Sequence, residues 1–298
     1  MLMKTDIKNI LIPIDFSDTS LNALNTAIQM ARRHEAVLHL LYVQDFLDYY
    51  PQLGALLTQA PMLDEVFKKD KLLLKKLVES IGSSHQVNCM MHVDTGNRVS
   101  VIAESALRLD TDMVVVGADT DISEQAYLED SLPYKVLQKT RCHVLSVPAK
   151  KQISNFSYIV FPVMSDERPM EKLKVLHNII ERNNAKVAVL GIVRKHDLNL
   201  SSTIRKLSGF VTARVRNIAK KVTHKNVYSS SRVKVLSDAS NNESEVLIVI
   251  NANTQRNLKE FFFGNFTQKM IRNARAAVLM VRSEANNEAR SSLKIAHL

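Results

Sequence analysis

The chain repeats one order of strand-like and helix-like segments in its two halves, and this repeat limits the fold more than any other feature. The apolar run at 10–15 (ILIPID) returns half a chain later at 159–163 (IVFPV), and a polar turn follows each run. Amphipathic helices are predicted next, over 21–34 and 167–182, because apolar residues recur there at three- and four-residue steps. Further strands are predicted at 37–43, 112–117 and 142–147 in the first half, and at 186–193, 245–251 and 277–281 in the second.

Strands that are apolar on both faces and alternate with helices are typical of a parallel sheet covered on both sides. The predicted fold class is therefore α/β, with two doubly wound five-stranded parallel-sheet domains in tandem. We expect the domains at 1–148 and 149–284, with a linker at 148–155 (PAKKQISN) and a C-terminal tail at 285–298.

The two halves are predicted to differ between their third and fourth strands. Long helices are expected near 62–82 and 200–222, and the third strands near 87–93 and 227–236. The first half then has room for a full helix at 97–108. The second half has only 237–244 (SDASNNES), too short for more than one helical turn. The second domain is thus expected to be degenerate.

Composition excludes several classes of protein. With 46% hydrophobic and 23% charged residues, the chain is neither mainly disordered nor fibrous. Two cysteines exclude a disulfide scaffold and a four-cysteine zinc site. No apolar run approaches the roughly 18 residues that a membrane span needs, so no membrane insertion is expected. The first ten residues do not have the pattern of a signal peptide, and the expected compartment is the cytoplasm.

Charge is divided unevenly between the halves. Residues 1–148 hold 14 Lys and Arg against 19 Asp and Glu, whereas 149–298 hold 26 against 11. The apolar spacing predicts one amphipathic helix over 203–225 with a basic outer face. This face is either a solvated surface or a docking site for an acidic protein, nucleic acid or a membrane surface. The residues proposed for docking are Arg205, Lys206, Arg214, Arg216, Lys220 and Lys221.

Three segments carry a resemblance to a known family: 10–27 (ILIPIDFSDTSLNALNTA), 93–118 (VDTGNRVSVIAESALRLDTDMVVVGA) and 142–148 (CHVLSVP). In order and spacing they resemble the universal stress protein family, in its tandem two-domain form with degenerate nucleotide-binding loops. The resemblance implies an adenine nucleotide alpha hydrolase-like fold. It also implies that the closing strands pair to make an intramolecular pseudo-dimer, with further self-association as a homodimer open.

The resemblance implies a cofactor-binding set of Asp15, Val43, Gly117 and Ser131. Asp15 would meet adenine, Val43 would form an apolar wall, and Gly117 and Ser131 would hold phosphates with ATP, ADP or AMP as candidate ligands. The other two loop glycines of the family are replaced by Thr120 and Asp130, and five carboxylates in 117–131 would repel a triphosphate. Asp15 also suits a helix N-cap or a turn, and this interpretation stays open.

The corresponding positions of the second half depart further from the family pattern. Met164 stands in place of the acid, Asn251 and Thr254 in place of two glycines, and Asn265 in place of the hydroxyl, while Gly264 is kept. The run at 261–264 (FFFG) is interpreted as core or interface. The run at 46–62, which includes Tyr49 and Tyr50, is interpreted as packing, a lid or a dimer contact.

No catalytic residues and no metal ligands are predicted. The sequence contains no P-loop, no G-x-G-x-x-G, no nucleophile elbow and no HExxH motif. The spacing of Cys89, His92, Cys142 and His143 does not suit zinc. Three functions are considered: a non-catalytic stress-response or signalling protein that senses a nucleotide or other small ligand, a nucleotide-independent scaffold for an acidic partner or nucleic acid, and a slow ATPase by fold analogy alone.

Overall fold

The computed structural model describes residues 6–45, 60–119, 131–165, 167–194, 198–241, 243–252 and 266–282. Within these ranges the first half alternates strands and helices: β1 (Asn9–Pro13), α1 (Asp18–His34), β2 (Val37–Gln44), α2 (Ala60–His85), β3 (Cys89–Thr95), α3 (Arg98–Arg108), β4 (Met113–Ala118), α4 (Leu132–Lys139) and β5 (His143–Pro148). The second half follows the same order: β6 (Tyr158–Val163), α5 (Pro169–Arg182), β7 (Lys186–Val193), a short 3-10 turn (Leu198–Leu200), α6 (Ser201–Val215), β8 (Lys221–Tyr228), α7 (Arg232–Ser240), β9 (Val246–Asn251), α8 (Phe266–Asn273) and β10 (Ala277–Val281).

All ten of these strands form one continuous sheet in the order β3-β2-β1-β4-β5-β10-β9-β6-β7-β8. Pairing is parallel within each half and antiparallel only where β5 meets β10. The α/β fold class is therefore confirmed, and the closing strands do pair as the resemblance implied. At their centre Leu145 lies opposite Leu279.

The strand registers show which residues of the two halves are equivalent. Ile10 lies beside Met113, as Ile159 lies beside Leu247, and Val115 lies beside Leu145, as Val249 lies beside Leu279. Leu145 and Leu279 are thus equivalent residues that face each other, so a local two-fold axis passes between them. The same register aligns Gly117 with Asn251.

Helices cover both faces of the sheet and bury an apolar layer on each. One layer is formed with α1, α2, α5 and α6, and the other with α3, α4, α7 and α8. Each layer contains residues from both halves, so the halves share a core. The connection from β5 to β6 runs along α1, where Asn22 donates to the carbonyl groups of Pro148 and Lys151 at 2.9 and 3.0 Å. Among the described residues, no helix is long and apolar enough to cross a membrane.

Two predictions for the second half are wrong. Helix α6 ends at Val215, and the third strand is β8 at 221–228 rather than 227–236, so no single helix spans 203–225. Lys220 lies in the turn between them and Lys221 begins the strand. The segment between the third and fourth strands also forms a full helix, α7, whose N-cap residue Ser231 accepts from the Lys234 N–H at 3.3 Å. The backbone of the second half is therefore complete.

Candidate functional site

A cavity of about 310 Å³ opens at the carboxyl ends of β1, β2 and β4. This is the point at which the strand order reverses, since β2 lies on one side of β1 and β4 on the other. Ligands of open α/β sheets bind at such points. All four residues of the predicted binding set, Asp15, Val43, Gly117 and Ser131, line the cavity.

Asp15 follows β1 and is held by the turn that starts α1. Its Oδ1 atom accepts from the Ser17 N–H at 3.0 Å and from the Ser17 hydroxyl at 2.6 Å. The residue that caps α1 is Ser17, whose Oγ accepts from the Ser20 N–H at 3.2 Å. The N-cap interpretation of Asp15 is therefore wrong, and the carboxylate is instead the turn residue that orients the cap.

Electrostatics keep Asp15 ionised at neutral pH. Burial alone would raise its pKa, but hydrogen bonds from Ser17 and Ser20 and the charge of Arg98 hold the pKa below its ordinary value. The Arg98 Nη1 atom lies 3.1 Å from Oδ2. Because the Asp15 side chain is still 37% exposed, it presents an anionic hydrogen-bond acceptor to the cavity.

Arg98 is the cavity residue that the sequence analysis missed. It is the first residue of α3, and its backbone N–H donates to the buried carboxylate of Asp45 at 2.9 Å. Gly96, just before the Asn97 cap, has a φ of 135° and lets the chain turn from β3 into α3. The start of α3 lies at the same edge of the sheet as Asp15. An arginine at the first position of this helix could therefore have been predicted to lie next to the carboxylate.

Gly117 and Ser131 form the opposite side of the cavity. A Cβ atom on Gly117 would lie 2.5 Å from the Thr19 carbonyl oxygen and 2.7 Å from its Cγ2, so the first turn of α1 packs directly on this glycine. Ser131 is the N-cap position of α4 but makes no capping hydrogen bond. Its hydroxyl is buried, and within the described structure it has no hydrogen-bond partner. A buried hydroxyl without a partner suits a ligand that supplies one.

Several predictions about this region fall on residues outside the described part of the chain. They include Thr120, Asp130 and the other acidic residues of 120–130, although Asp119 is described and lines the cavity. The repulsion of a triphosphate by this loop stays a prediction. Thr254, 261–264, Gly264, Asn265, Tyr49, Tyr50 and the tail at 285–298 also lie outside the description.

The second half has no acid at the position equivalent to Asp15. Met164 occupies the position of Asp15 and is 1% exposed. Arg232 begins α7 as Arg98 begins α3, and its Nη1 atom lies 3.9 Å from the Met164 sulfur. The guanidinium also stacks on Phe266, with 4.6 Å between Cζ and the ring centroid. The arginine is kept, but an apolar side chain has replaced its carboxylate partner.

A buried ion pair lies next to this place. The Lys172 side chain is fully buried, and its Nζ atom lies 2.5 Å from Glu167 Oε2 and 2.5 Å from the Pro162 carbonyl oxygen. Glu167 also accepts from the Asn251 N–H at 3.2 Å, and Asn251 Oδ1 accepts from the Arg168 N–H at 3.1 Å. These groups thus bond to one another, but the buried Nδ2 atom of Asn251 has no hydrogen-bond partner among the described residues.

The histidines and cysteines form no cluster of three metal-ligating residues within the described ranges. Both cysteines are free thiols, and burial raises the pKa of Cys89 to about 12 and that of Cys142 to about 11. His92 Nε2 instead lies 3.0 Å from Nδ1 of His39 on the neighbouring strand.

Comparison with known proteins finds a family model that matches the first half of the chain. Residues 6–148, just under half of the chain, match the model of the Universal stress protein family. A universal stress protein of Methanocaldococcus jannaschii is 28% identical over 147 residues, which are 49% of this chain and 84% of that protein.

Solved structures extend the likeness in fold to the whole chain. A universal stress protein from Archaeoglobus fulgidus has a TM-score of 0.74 at 14% identity, over 95% of this chain and 98% of that one. A putative universal stress protein from Pseudomonas aeruginosa has a TM-score of 0.63 at 13% identity, over 96% and 97% of the two chains. Residues 6–148 thus match the universal stress protein family in sequence, and the chain as a whole has the fold of solved universal stress proteins.

Proposed function

We propose that the chain is a non-catalytic stress-response protein of the universal stress protein type, whose first half senses an adenine nucleotide. The observation that supports this proposal is the convergence of Asp15, Val43, Gly117 and Ser131 on one cavity at the switch point of the sheet. The halves would be two tandem domains, 1–148 and 149–284, of which the second has lost its binding site but kept its fold.

The chemistry of the cavity suits a nucleotide in two parts. The Asp15 carboxylate accepts hydrogen bonds, as the amino group of adenine requires, and Leu41, Val43 and Val116 offer apolar contact to a flat ring. Arg98 and the N-terminal end of α4 at Ser131 favour an anionic group. A volume of about 310 Å³ is small for a ligand pocket, and the sequence of 117–131 is acidic, so we expect AMP to bind more tightly than ATP.

Calorimetry and thermal unfolding with ATP, ADP, AMP and cyclic AMP, with and without magnesium, test the proposal. A ligand that binds only the folded state at 100 times its Kd adds about 2.7 kcal/mol of stability and raises the melting temperature. Asp15→Ala should abolish the shift while leaving the fold intact. Met164→Ala, at the equivalent position of the second half, is the matched control and should leave ligand affinity unchanged. Absence of any shift at millimolar ligand would contradict the proposal.

The two alternative functions give different results in the same experiment. A nucleotide-independent scaffold shows no shift with any nucleotide, and its partner must then be sought on the basic surface of the second half. A slow ATPase hydrolyses ATP, and Asp15→Ala would abolish that turnover.

Assembly and location follow from the same proposal. Since β5 and β10 pair within one chain, the chain is its own pseudo-dimer, and a homodimer would have to use another surface. Light scattering of the purified chain tests this expectation. We expect the chain to work in a reducing compartment such as the cytoplasm, where free cysteines such as Cys89 and Cys142 persist.

A further inference from the structure

The outer end of the second half carries a basic surface. Residues 198–237 contain nine Lys and Arg and no Asp or Glu. Helix α6 buries Ile204, Val211 and Val215 against the sheet and exposes its opposite side. We call the exposed side of α6, together with the end of β8, the α6–β8 surface, and its residues are Arg205, Lys206, Phe210, Arg214, Arg216 and Tyr228.

The cations of this surface have no carboxylate partner within the described ranges. Among the described residues, no carboxylate forms an ion pair with Arg205, Lys206, Arg214 or Arg216. Exposed positive charges without partners attract a polyanion and release its counterions when it binds. The charge of the surface therefore favours a negatively charged partner. The other side chains of the surface indicate which class of polyanion binds.

Two aromatic side chains are exposed among these cations. Phe210 is 45% exposed and Tyr228 is 50% exposed. The Arg214 guanidinium lies over the Phe210 ring with 4.9 Å from Cζ to the centroid, and Arg205 Nη2 donates to the Tyr228 hydroxyl at 3.2 Å. The packing of α6 beside β8 brings Tyr228 to Arg205, while Phe210 and Arg214 lie further along the exposed side of the same helix.

Aromatic rings beside arginines are the means by which proteins bind unpaired bases. Bases stack on the rings, and the arginines meet the phosphates and add cation–π attraction. A duplex hides the faces of its bases, and an acidic peptide has no flat ring system along its chain to stack. We infer that the α6–β8 surface binds single-stranded nucleic acid, independently of any nucleotide in the first half.

The first half supplies an internal control, because α2 and β3 hold the equivalent place at the other end of the sheet. Residues 60–95 contain five Lys and five Asp and Glu. The large apolar side chains exposed on the described part of α2 and β3 are Leu72, Leu73 and Met90, none of which is aromatic. In the part of the first half that the structure describes, this place thus has neither the charge excess nor the exposed rings.

Fluorescence anisotropy of the full chain with labelled single strands of 20 nucleotides, dT and rU, tests the inference against a duplex of equal length and polyglutamate. We expect both single strands to bind at least tenfold more tightly than the duplex or polyglutamate. The tighter binding of dT or of rU then shows whether the surface prefers single-stranded DNA or single-stranded RNA. Equal binding of the duplex or polyglutamate, or no binding at low salt, would overturn the inference.

Four variants separate stacking from charge. Phe210→Ala and Tyr228→Ala should each weaken single-strand binding about tenfold. The double variant Lys206→Gln/Arg216→Gln should lower the slope of log K against log salt by about 1.4, since each lost phosphate contact removes about 0.7. Lys71→Gln/Lys76→Gln on α2 is the matched control and should change nothing. Unchanged melting temperatures show that the variants fold, and an equal loss in the control or no loss in the aromatic variants would overturn the inference.

Discussion

The two halves of the molecule share one backbone fold but have different side chains at the equivalent place, where the strands end at the start of the helices. Both carry an arginine at the start of the helix that follows the third strand, but Arg98 meets the carboxylate of Asp15 and Arg232 meets the sulfur of Met164. The first half has a cavity at this place, and in the second half the buried pair of Lys172 and Glu167 contacts Pro162 and Asn251, the equivalents of the cavity residues Pro13 and Gly117. The fold of such a unit therefore does not depend on an open site, and four predictions test this comparison.

The largest expected effect concerns the buried ion pair of the second half. Lys172→Met leaves Glu167 buried without its cation and should lower the free energy of unfolding by about 3–5 kcal/mol. Urea denaturation followed by circular dichroism measures the change. The double variant Lys172→Met/Glu167→Gln removes both charges and should recover at least half of the loss. If the double variant were as unstable as the single one, the pairing of charges would not be the cause.

The second prediction concerns acid sensitivity at the ends of the equivalent helices α1 and α5. Burial, together with the charges of Arg182 and Arg33 and against that of Asp6, lowers the pKa of His34 from 6.5 to about 4. The folded state therefore disfavours the charged ring, and stability present above pH 6.5 is lost as the pH falls towards 4. We expect a loss of about 3 kcal/mol.

Substitution of His34 by Gln isolates this loss, because an amide does not titrate. The equivalent position already holds an amide in the second half, where Asn183 accepts from the Phe156 N–H and donates to the Ile179 carbonyl oxygen. Urea unfolding at pH 7 and pH 4.5 should show a smaller difference for His34→Gln than for the unchanged chain. Equal pH dependence in both would show that His34 is not the acid-sensitive group.

The third prediction concerns the contact between the first helix and the fourth strand. Gly117→Ala places a methyl group against the Thr19 carbonyl and should cost about 2 kcal/mol of stability through overpacking. Asn251→Ala at the equivalent position removes the acceptor of the Arg168 N–H and should cost about 1 kcal/mol. Thermal and urea unfolding of both variants measure the difference. A harmless Gly117→Ala would mean that the glycine serves only the ligand.

The smallest effect concerns Asp15 itself. Its lowered pKa means that the stability due to the ionised carboxylate is present above the ordinary value of 3.8 and is lost as the pH falls through the lowered value. Since the pair with Arg98 is partly exposed, Asp15→Asn should cost less than about 1 kcal/mol at pH 7 and still less at pH 3. Urea unfolding at the two pH values measures this, and a constant difference would exclude the charge as its source.

The sequence predicted the buried strands well because their apolar runs are long and uniform. The predictions at 186–193 and 277–281 match β7 and β10 residue for residue. It failed at β8, an edge strand whose polar side chains are mostly exposed and carry no apolar run. The helical spacing of Val215, Ile218 and Val222 also continues through the turn, which contains neither Gly nor Pro.

The site residues likewise divide into those that the sequence predicts and those that it does not. Asp15, Val43 and Gly117 lie on or next to predicted strands, so their places at the sheet edge follow from the order of the strands. The contact of Arg98 with Asp15 depends on the angle at which α3 leaves β3. The pair of Lys172 and Glu167 depends on side-chain packing beneath α5. The periodicity of a sequence specifies neither the angle of a helix nor the packing of side chains beneath it.

The junction of β5 and β10 affects which substitutions such a chain can accumulate during evolution. In an assembly of two identical copies, every substitution occurs twice, so a loss in one binding site is a loss in both. Here the connection along α1 holds the two partners of the junction at a high effective concentration whatever their sequences become. One partner is thereby free to lose Asp15's counterpart and gain positive charge, while the other retains its cavity.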